Sequence, residues 1–204
     1  MAPDAPRPTG ALTAAALADR LPAVLASRPR VRLDPSGRDA GVLLVLFDSD
    51  GEGRLILTKR SEEVAHHKGE VSLPGGRLES SDDGLLAAAL RETDEEIGIP
   101  ATSLTVLGPL DDVHTTASGF TVSPWVAHHP GGRPDMLPEE SEIARIIEVR
   151  IADVLDADRR IPARPDRTTL RYPLAGEDVW GLTARILRTF AEVVRPIAPG
   201  GGRH

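Results

Sequence analysis

Two apolar segments separated by a polar turn constrain the fold of this chain most strongly. A continuous apolar run of strand length extends from Val42 to Phe47, and a second extends from Leu55 to Thr58. The connecting residues, Asp48-Ser49-Asp50-Gly51-Glu52-Gly53, have the composition of a hairpin turn. We therefore predict two neighbouring strands in this part of the chain.

Helical and strand patterns alternate through the remainder of the sequence. Apolar spacing predicts an N-terminal helix within residues 12–25, a helix from about Gly84 to Ile97 that Gly98 and Pro100 end, and a C-terminal helix over Val179–Val194. Residues 61–83 are predicted to form one long loop. Further strand candidates are Leu104–Leu107, Phe120–Ala127, Ile143–Val149 and Thr168–Tyr172, with a short helical turn at Ile151–Leu155. This mixture predicts a layered α/β sheet domain.

The bulk composition limits the classes of protein and of metal site. A chain of 204 residues suits one domain with a sizeable core. We expect a tail and helix over residues 1–30, the main domain over 31–195, and a flexible tail over 196–204. The absence of cysteine excludes disulfides and thiolate metal sites, so any metal must use carboxylate, imidazole or carbonyl ligands.

Net charge and hydropathy argue against two kinds of partner. The net charge of −7 is opposite to that of a typical nucleic-acid binder, so no nucleic-acid partner is expected. No apolar run approaches the ~20 residues that a membrane-spanning helix needs, and the N-terminal region lacks the features of a signal peptide. We therefore expect no membrane association and a cytoplasmic location.

The predicted helix over residues 84–97 carries an unusual concentration of acid near its C-terminal end. At about 100° per residue, Glu92, Glu95 and Glu96 fall within about 100° of arc. Three carboxylates on one face repel each other, and Arg91 alone does not neutralise them. A hard divalent cation such as magnesium would do so. The alternative is a solvated acidic surface.

The residues before this helix favour the metal interpretation. Gly75-Gly76 follows a proline and allows the backbone to approach a ligand closely, with a carbonyl available to a metal. Asp82 and Asp83 supply acid at the start of the helix. Taken separately, the glycines could form a simple turn, and one aspartate could be an N-cap.

These residues resemble the Nudix box, Gly-x5-Glu-x7-Arg-Glu-U-x-Glu-Glu-x-Gly-U, in which U is aliphatic. Thr93 stands where an aliphatic residue is usual, and the interval from Gly76 to Arg91 is one residue longer. Asp82 keeps the distance from Gly76 and Asp83 keeps the distance to Arg91, so either one could be the early acid. The matching residues are Gly76, Arg91, Glu92, Glu95, Glu96, Gly98 and Ile99.

The longer interval also resembles the coenzyme A pyrophosphatases of this superfamily. Their upstream motif is matched by Leu57-Thr58-Lys59-Arg60-Ser61, followed by His67-Lys68-Gly69-Glu70 and Leu73-Pro74-Gly75-Gly76. Leu73 replaces the usual Phe, and Ala65 stands where many members have Arg. The resemblance covers roughly residues 40–190 and implies a Nudix-type α/β/α sandwich with a central mixed β-sheet.

The resemblance implies a metal-dependent hydrolase of diphosphate linkages. Glu92, Glu95 and Glu96 would bind Mg²⁺ or Mn²⁺ together with the Gly76 carbonyl, and one of these carboxylates, with Glu95 as our candidate, could act as a base. Arg91 would orient the glutamates. Glu142 is a candidate for a further base from a later segment; the alternative is an exposed loop acid.

The implied substrate contacts lie before and within the glycine segment. Arg60, Lys68 and Gly75 are the candidates for substrate binding, because a cation or a close backbone approach suits a phosphate. The alternative for Arg60 and Lys68 is a solvated cation at a strand end. His66-His67 as metal ligands is disfavoured, because adjacent side chains rarely converge.

The sequence indicates the type of reaction more closely than it indicates the substrate. The leading hypothesis is CoA or acyl-CoA, cut to 3′,5′-ADP and a phosphopantetheine. ADP-ribose, a dinucleotide or a nucleoside triphosphate is the second, and a non-catalytic nucleotide-binding domain is a third. The intact acidic set argues against the third hypothesis. The resemblance to the Nudix superfamily also suggests a homodimer.

Overall fold

A mixed β-sheet forms the centre of the structure, a computed structural model that describes residues 11–35, 37–61, 69–115, 119–163, 166 and 170–199. Within these residues the helices are α1 (Ala14–Ser27), α2 (Leu85–Ile97), α3 (Ile151–Arg160) and α4 (Gly181–Val194). The strands are β1 (Asp39–Ser49), β2 (Glu52–Arg60), β3 (Val71–Ser72), β4 (Gly75–Arg77), β5 (Thr105–Pro109), β6 (Val113–His114), β7 (Thr121–His128), β8 (Ile143–Arg150), β9 (Tyr172–Leu174) and β10 (Glu177–Val179). Short 3₁₀ helices cover Ala101–Ser103 and Arg195–Ile197.

The predicted β1–β2 hairpin is the first part of this sheet. β1 pairs antiparallel with β2, with Leu46 opposite Leu55, and pairs parallel with β7 on its other side. The main strand order is β3-β2-β1-β7-β5, while β4 pairs with β1, β6 with β7 and β8 with β2. One parallel pairing among antiparallel ones makes the sheet mixed, as predicted.

Strand β1 is buried on both faces, which explains why its apolar run is continuous. Leu43, Val45 and Phe47 belong to a cluster with residues of α2. The intervening Leu44 and Leu46 belong to a second cluster that includes α1, α3 and α4. Successive strand residues point to opposite faces, so helices cover both sides of the sheet. The predicted α/β/α sandwich is confirmed.

Helix α1 confirms the helix predicted near the N-terminus. The Thr13 side chain accepts a hydrogen bond from the Ala16 N–H at 3.1 Å, which caps the first turn. The Asp48 carboxylate accepts from the Ala14 and Ala15 N–H groups at 2.6 and 3.0 Å. The end of β1 therefore holds the start of α1, and the apolar face of the helix packs into the core.

Four local predictions were wrong in part. The predicted loop over residues 61–83 contains β3 and β4. The sequence did not indicate these strands, because β3 has only two residues and β4 begins with two glycines, so neither shows an alternation of side chains. The predicted helical turn at Ile151 continues to Arg160 as α3. The C-terminal helix begins at Gly181, because Val179 pairs with Tyr172 in a β9–β10 hairpin. Of the strand predicted at Thr168–Tyr172, residues 168–169 lie outside the described residues, and only Tyr172 of the other three belongs to a strand, β9. No helix in the described ranges is long and apolar enough to cross a membrane.

Candidate active site

Strand β4 places two glycines between the sheet and helix α2. Gly76 pairs with Gly41, and Gly75 pairs with Val42. A Cβ atom at Gly76 would lie 2.3 Å from the carboxylate carbon of Glu92. A Cβ atom at Gly75 would lie 2.3 Å from the Gly41 carbonyl oxygen, and Gly75 has a φ of +141°. Glycine is therefore required at both positions for β4 to lie this close to β1 and Glu92.

Helix α2 packs directly on β1 through small residues. A Cβ atom at Gly41 would lie 1.9 Å from the Leu85 carbonyl oxygen, so glycine allows the helix backbone to touch the strand. Thr93, which departs from the aliphatic residue of the Nudix box, is fully buried, and its hydroxyl donates to the Ala89 carbonyl at 2.6 Å. The buried hydroxyl is thus satisfied within the helix.

Glu96 is the buried carboxylate of the site. It is 4% exposed, and its Oε2 accepts a hydrogen bond from the Gly75 N–H at 3.1 Å. Burial raises the pKa of Glu96 to about 7, the Gly75 N–H and Arg60 oppose this rise, and the nearby Glu92 and Glu142 charges add to it. Burial likewise raises the pKa of Glu92, although Arg91 opposes the change. The cluster is therefore short of positive charge.

Arg91 connects several of the predicted acids. Its Nε and Nη2 donate to Asp82 at 3.0 and 3.1 Å, and its Nη1 donates to Glu92 at 3.0 Å and to Glu95 at 2.9 Å. These partners raise the pKa of Arg91, and the bond from Arg91 lowers the pKa of Asp82. Arg91 thus holds the glutamates in position rather than pointing away from the helix.

The contacts of Arg91 also distinguish the two aspartates at the start of α2. Asp82 is the one that binds Arg91, whereas Asp83 is exposed. The alternative in which one of them caps the helix is wrong, because the N-cap residue is Gly84 and no side chain makes a capping bond. Asp82 therefore takes the position of the early acid in the arginine network.

Glu142 reaches the cluster through a segment that packs on the end of α2. The Glu139 N–H donates to the Glu96 carbonyl at 2.9 Å, and the Ser61 N–H donates to the Glu142 carbonyl at 2.8 Å. The Glu142 side chain is half exposed, and its Oε2 lies 3.6 Å from Nη2 of Arg60. Nη1 of Arg60 lies 3.5 Å from Oε1 of Glu96. The structure thus brings Arg60, Glu96 and Glu142 together.

The donor set fits a hard divalent cation. Carboxylates of Glu92 and Glu96 lie against the backbone of Gly75 and Gly76, and hard cations prefer such oxygen ligands. Glu95 is more exposed and bonds Arg91. Among the described residues, no three acidic or histidine side chains form a preformed metal-binding group. A shared cation would require these carboxylates to turn towards one another.

Three residues considered as site candidates lie in a part of the chain that the structure does not describe, and one residue that contacts Arg91 was not predicted. Lys68, His66 and His67 lie outside the described residues. Arg77 was not singled out, yet its carbonyl accepts from Nη2 of Arg91 at 3.2 Å and its guanidinium lies 5.4 Å from the centre of the Phe120 ring. Only its position directly after Gly75-Gly76 could have indicated this role.

Comparison with known proteins identifies the family of the chain. The NUDIX domain family model matches residues 37–171. The protein named Uncharacterized Nudix hydrolase NudL from Enterobacter sp. (strain 638) is 36% identical over 172 residues, covering 80% of this chain and 87% of its own length. The protein of the same name from Yersinia pestis (strain Pestoides F) is 32% identical over 164 residues, covering 78% and 81% respectively.

A solved structure supports the fold independently. The MutT/nudix family protein from Enterococcus faecalis superimposes with a TM-score of 0.52 at 15% identity, covering 87% of this chain and 69% of that protein. At this identity the likeness concerns the fold alone. The family model and the curated relatives carry the assignment: the chain belongs to the Nudix family.

Proposed function

We propose that this protein is a Mg²⁺- or Mn²⁺-dependent diphosphatase that hydrolyses coenzyme A or acyl-CoA to 3′,5′-ADP and (acyl-)4′-phosphopantetheine. Membership of the Nudix family supports the coarser part, hydrolysis of a pyrophosphate linkage in a nucleoside diphosphate derivative. The observation that carries the proposal is the buried Glu96 carboxylate, held by the Gly75 N–H beside Glu92 and near Glu142. A partly buried cluster in which carboxylates outnumber arginines is suited to a cation-bound anionic substrate.

Each part of the site has a distinct task in this chemistry. Glu92, Glu95 and Glu96 would hold the metal with the Gly76 carbonyl. When bound, the metal supplies charge neutralisation and lowers the pKa of coordinated water. Water attacks one phosphorus, the bond from that phosphorus to the bridging oxygen breaks, and the second phosphate leaves.

The attacking water must lose a proton to a carboxylate. Glu142 is half exposed at the edge of the cluster, so it can meet water while remaining near Glu96. Glu95 is the other candidate, and its bond to Arg91 fixes its orientation. Arg91 is a positioning residue in this scheme, because its bonds go to Asp82, Glu92 and Glu95.

The choice of CoA rests on the residues that precede the glycine segment. The Arg60-Ser61 motif and the Pro74-Gly75-Gly76 motif resemble those of coenzyme A pyrophosphatases. CoA carries a 3′-phosphate that ADP-ribose lacks, and a cation such as Lys68 could distinguish the two substrates. Arg60 lies among the carboxylates, so it is better placed for the diphosphate than for a distant phosphate.

The test compares CoA, dephospho-CoA and ADP-ribose with purified enzyme and Mg²⁺. We expect the highest kcat/KM with CoA, no turnover in excess chelator, and a narrower preference in Lys68→Ala. Lys59→Ala is the matched control, because Lys59 pairs with Glu177 outside the cluster. Equal rates on CoA and dephospho-CoA would show that the 3′-phosphate is not recognised. Faster hydrolysis of ADP-ribose would retain the diphosphate chemistry and replace the substrate.

A further inference from the structure

Arg60 is held loosely between two acidic side chains. Its contacts with Glu96 and Glu142 are 3.5 and 3.6 Å long, whereas a strong charged hydrogen bond is about 2.7–2.9 Å. Its buried Nε has no hydrogen-bond partner in the described part of the chain. The guanidinium therefore neutralises the pair without making the bidentate bonds that it forms with an ideal partner.

The backbone around Arg60 is firmly fixed. The Arg60 N–H donates to the Glu70 carbonyl at 3.0 Å, and the next residue, Ser61, donates to Glu142. By contrast, the neighbouring Lys59 side chain contacts both carboxylate oxygens of Glu177 at 3.1 Å. Lys59 therefore bonds both oxygens of one carboxylate, which it shares with Arg145, whereas Arg60 among the described residues has only longer contacts with two different carboxylates. A fixed backbone with a weakly bonded side chain allows the guanidinium to exchange partners.

We propose that Arg60 and a divalent cation compete for the carboxylate of Glu96, and that the cation displaces the guanidinium from Glu96 and Glu142 onto the diphosphate of the substrate. This inference rests on the proposed function. A dication near the same oxygens attracts them more strongly than a single charge at 3.5 Å and repels the guanidinium. The diphosphate then offers the planar guanidinium of Arg60 an anionic partner that it can bind with two hydrogen bonds.

This exchange has a consequence that a purely structural arginine would not produce. Before substrate binds, Arg60 weakens metal binding, because the cation must displace it. After substrate binds, Arg60 contributes to turnover. Removing the guanidinium should therefore move the two quantities in opposite directions, with tighter metal binding and slower hydrolysis.

The experiment measures Mn²⁺ binding alone, by calorimetry on chelator-treated, dialysed full-length protein at pH 8, and then hydrolysis of CoA with saturating Mn²⁺. We expect Arg60→Gln to bind Mn²⁺ about 10-fold more tightly than the wild type and to lose about 100-fold in kcat, the scale of a lost electrostatic contact in the transition state. Lys59→Gln removes one charge from the same strand and should change neither quantity. Arg60→Lys keeps the charge without the planar fork, so it should keep wild-type Mn²⁺ affinity and recover only part of kcat.

The outcomes separate this inference from the proposed function. If the wild type and Arg60→Gln bind Mn²⁺ equally, or if Arg60→Gln binds it more weakly, the competition does not exist although the metal-dependent chemistry stands. If Lys59→Gln tightens binding as much as Arg60→Gln, general charge explains the effect and the exchange is rejected. If no variant binds Mn²⁺, both proposals fail. Should Arg60→Gln not fold, tighter Mn²⁺ binding by Arg60→Lys than by the wild type would overturn the inference.

Discussion

Glu96 should make the stability of the chelator-treated protein depend on pH. Burial raises its pKa from the ordinary 4.5 to about 7, so the folded protein holds the proton more tightly than the unfolded chain does. The stabilising contribution is therefore fully present below pH 4.5 and is lost as the pH rises to about 7. At about 1.4 kcal/mol per pH unit, this group lowers the free energy of unfolding by about 3 kcal/mol between pH 4 and pH 8.

The perturbation that isolates this effect is Glu96→Gln. We would measure urea unfolding of the wild type, Glu96→Gln and Glu95→Gln from pH 4 to pH 8 in the presence of chelator. The amide stays neutral throughout, so the stability difference between Glu96→Gln and the wild type should grow by about 3 kcal/mol in favour of the variant. Subtraction removes the contributions of carboxylates that both proteins share. Glu95→Gln should follow the wild-type curve, because the Glu95 side chain is mostly exposed.

A constant difference between Glu96→Gln and the wild type over this range would refute the reasoning. A difference that grows equally in Glu95→Gln would also refute it, because the effect would then belong to the acidic helix as a whole. Magnesium supplies a second check. A cation that binds the ionised carboxylates should restore stability to the wild type at pH 8 and restore less to Glu96→Gln.

Three further substitutions test the packing at the site and in the core away from it. Gly76→Ala should leave the fold intact but lower kcat about 100-fold, because the new Cβ would displace the Glu92 carboxylate 2.3 Å away; activity within 2-fold of the wild type would contradict this. Gly41→Ala should lower the free energy of unfolding by about 3 kcal/mol or more, since its Cβ meets the Leu85 backbone at 1.9 Å; an unchanged urea midpoint would count against the contact. Tyr172→Phe should cost about 1.5–3 kcal/mol in thermal unfolding with kcat unchanged, because the buried tyrosine donates to Asp158 at 2.6 Å. A loss of kcat at full stability would show that this bond serves the site instead.

The sequence predicted the elements whose signals are local. Helix α2 begins one residue after its predicted start and ends at Ile97, where Gly98 adopts a φ of +72°. The β1–β2 hairpin was predictable because its apolar runs and turn residues are contiguous. The contact of Arg91 with Glu95 joins residues four apart on one helix, so helical spacing alone explains it. Such features need no knowledge of distant parts of the chain.

Long-range contacts could not be derived in this way. Glu142 joins the site because residues 139 and 142 bond the end of α2 and the residue after β2, across large sequence separations. Arg60 was predicted to contact phosphate, but its position between Glu96 and Glu142 depends on three separate segments. Strand β4 escaped prediction because Gly75 and Gly76 have no side-chain alternation. The same lack of side chains is what lets β4 lie against Glu92.

The architecture explains how an acidic protein can hold a substrate of the same sign. Gly41 lets α2 touch the sheet, and this close approach buries Glu96 beside the Gly75 backbone, where one N–H and the distant charge of Arg60 are its main compensation. Burying that carboxylate opposes folding, and the surrounding sandwich must supply the difference. The side chains of the site therefore neutralise its negative charge only in part. A cation bound there would supply the positive charge that allows a diphosphate to approach. The acidic residues of the helix would in this way favour binding of an anionic substrate.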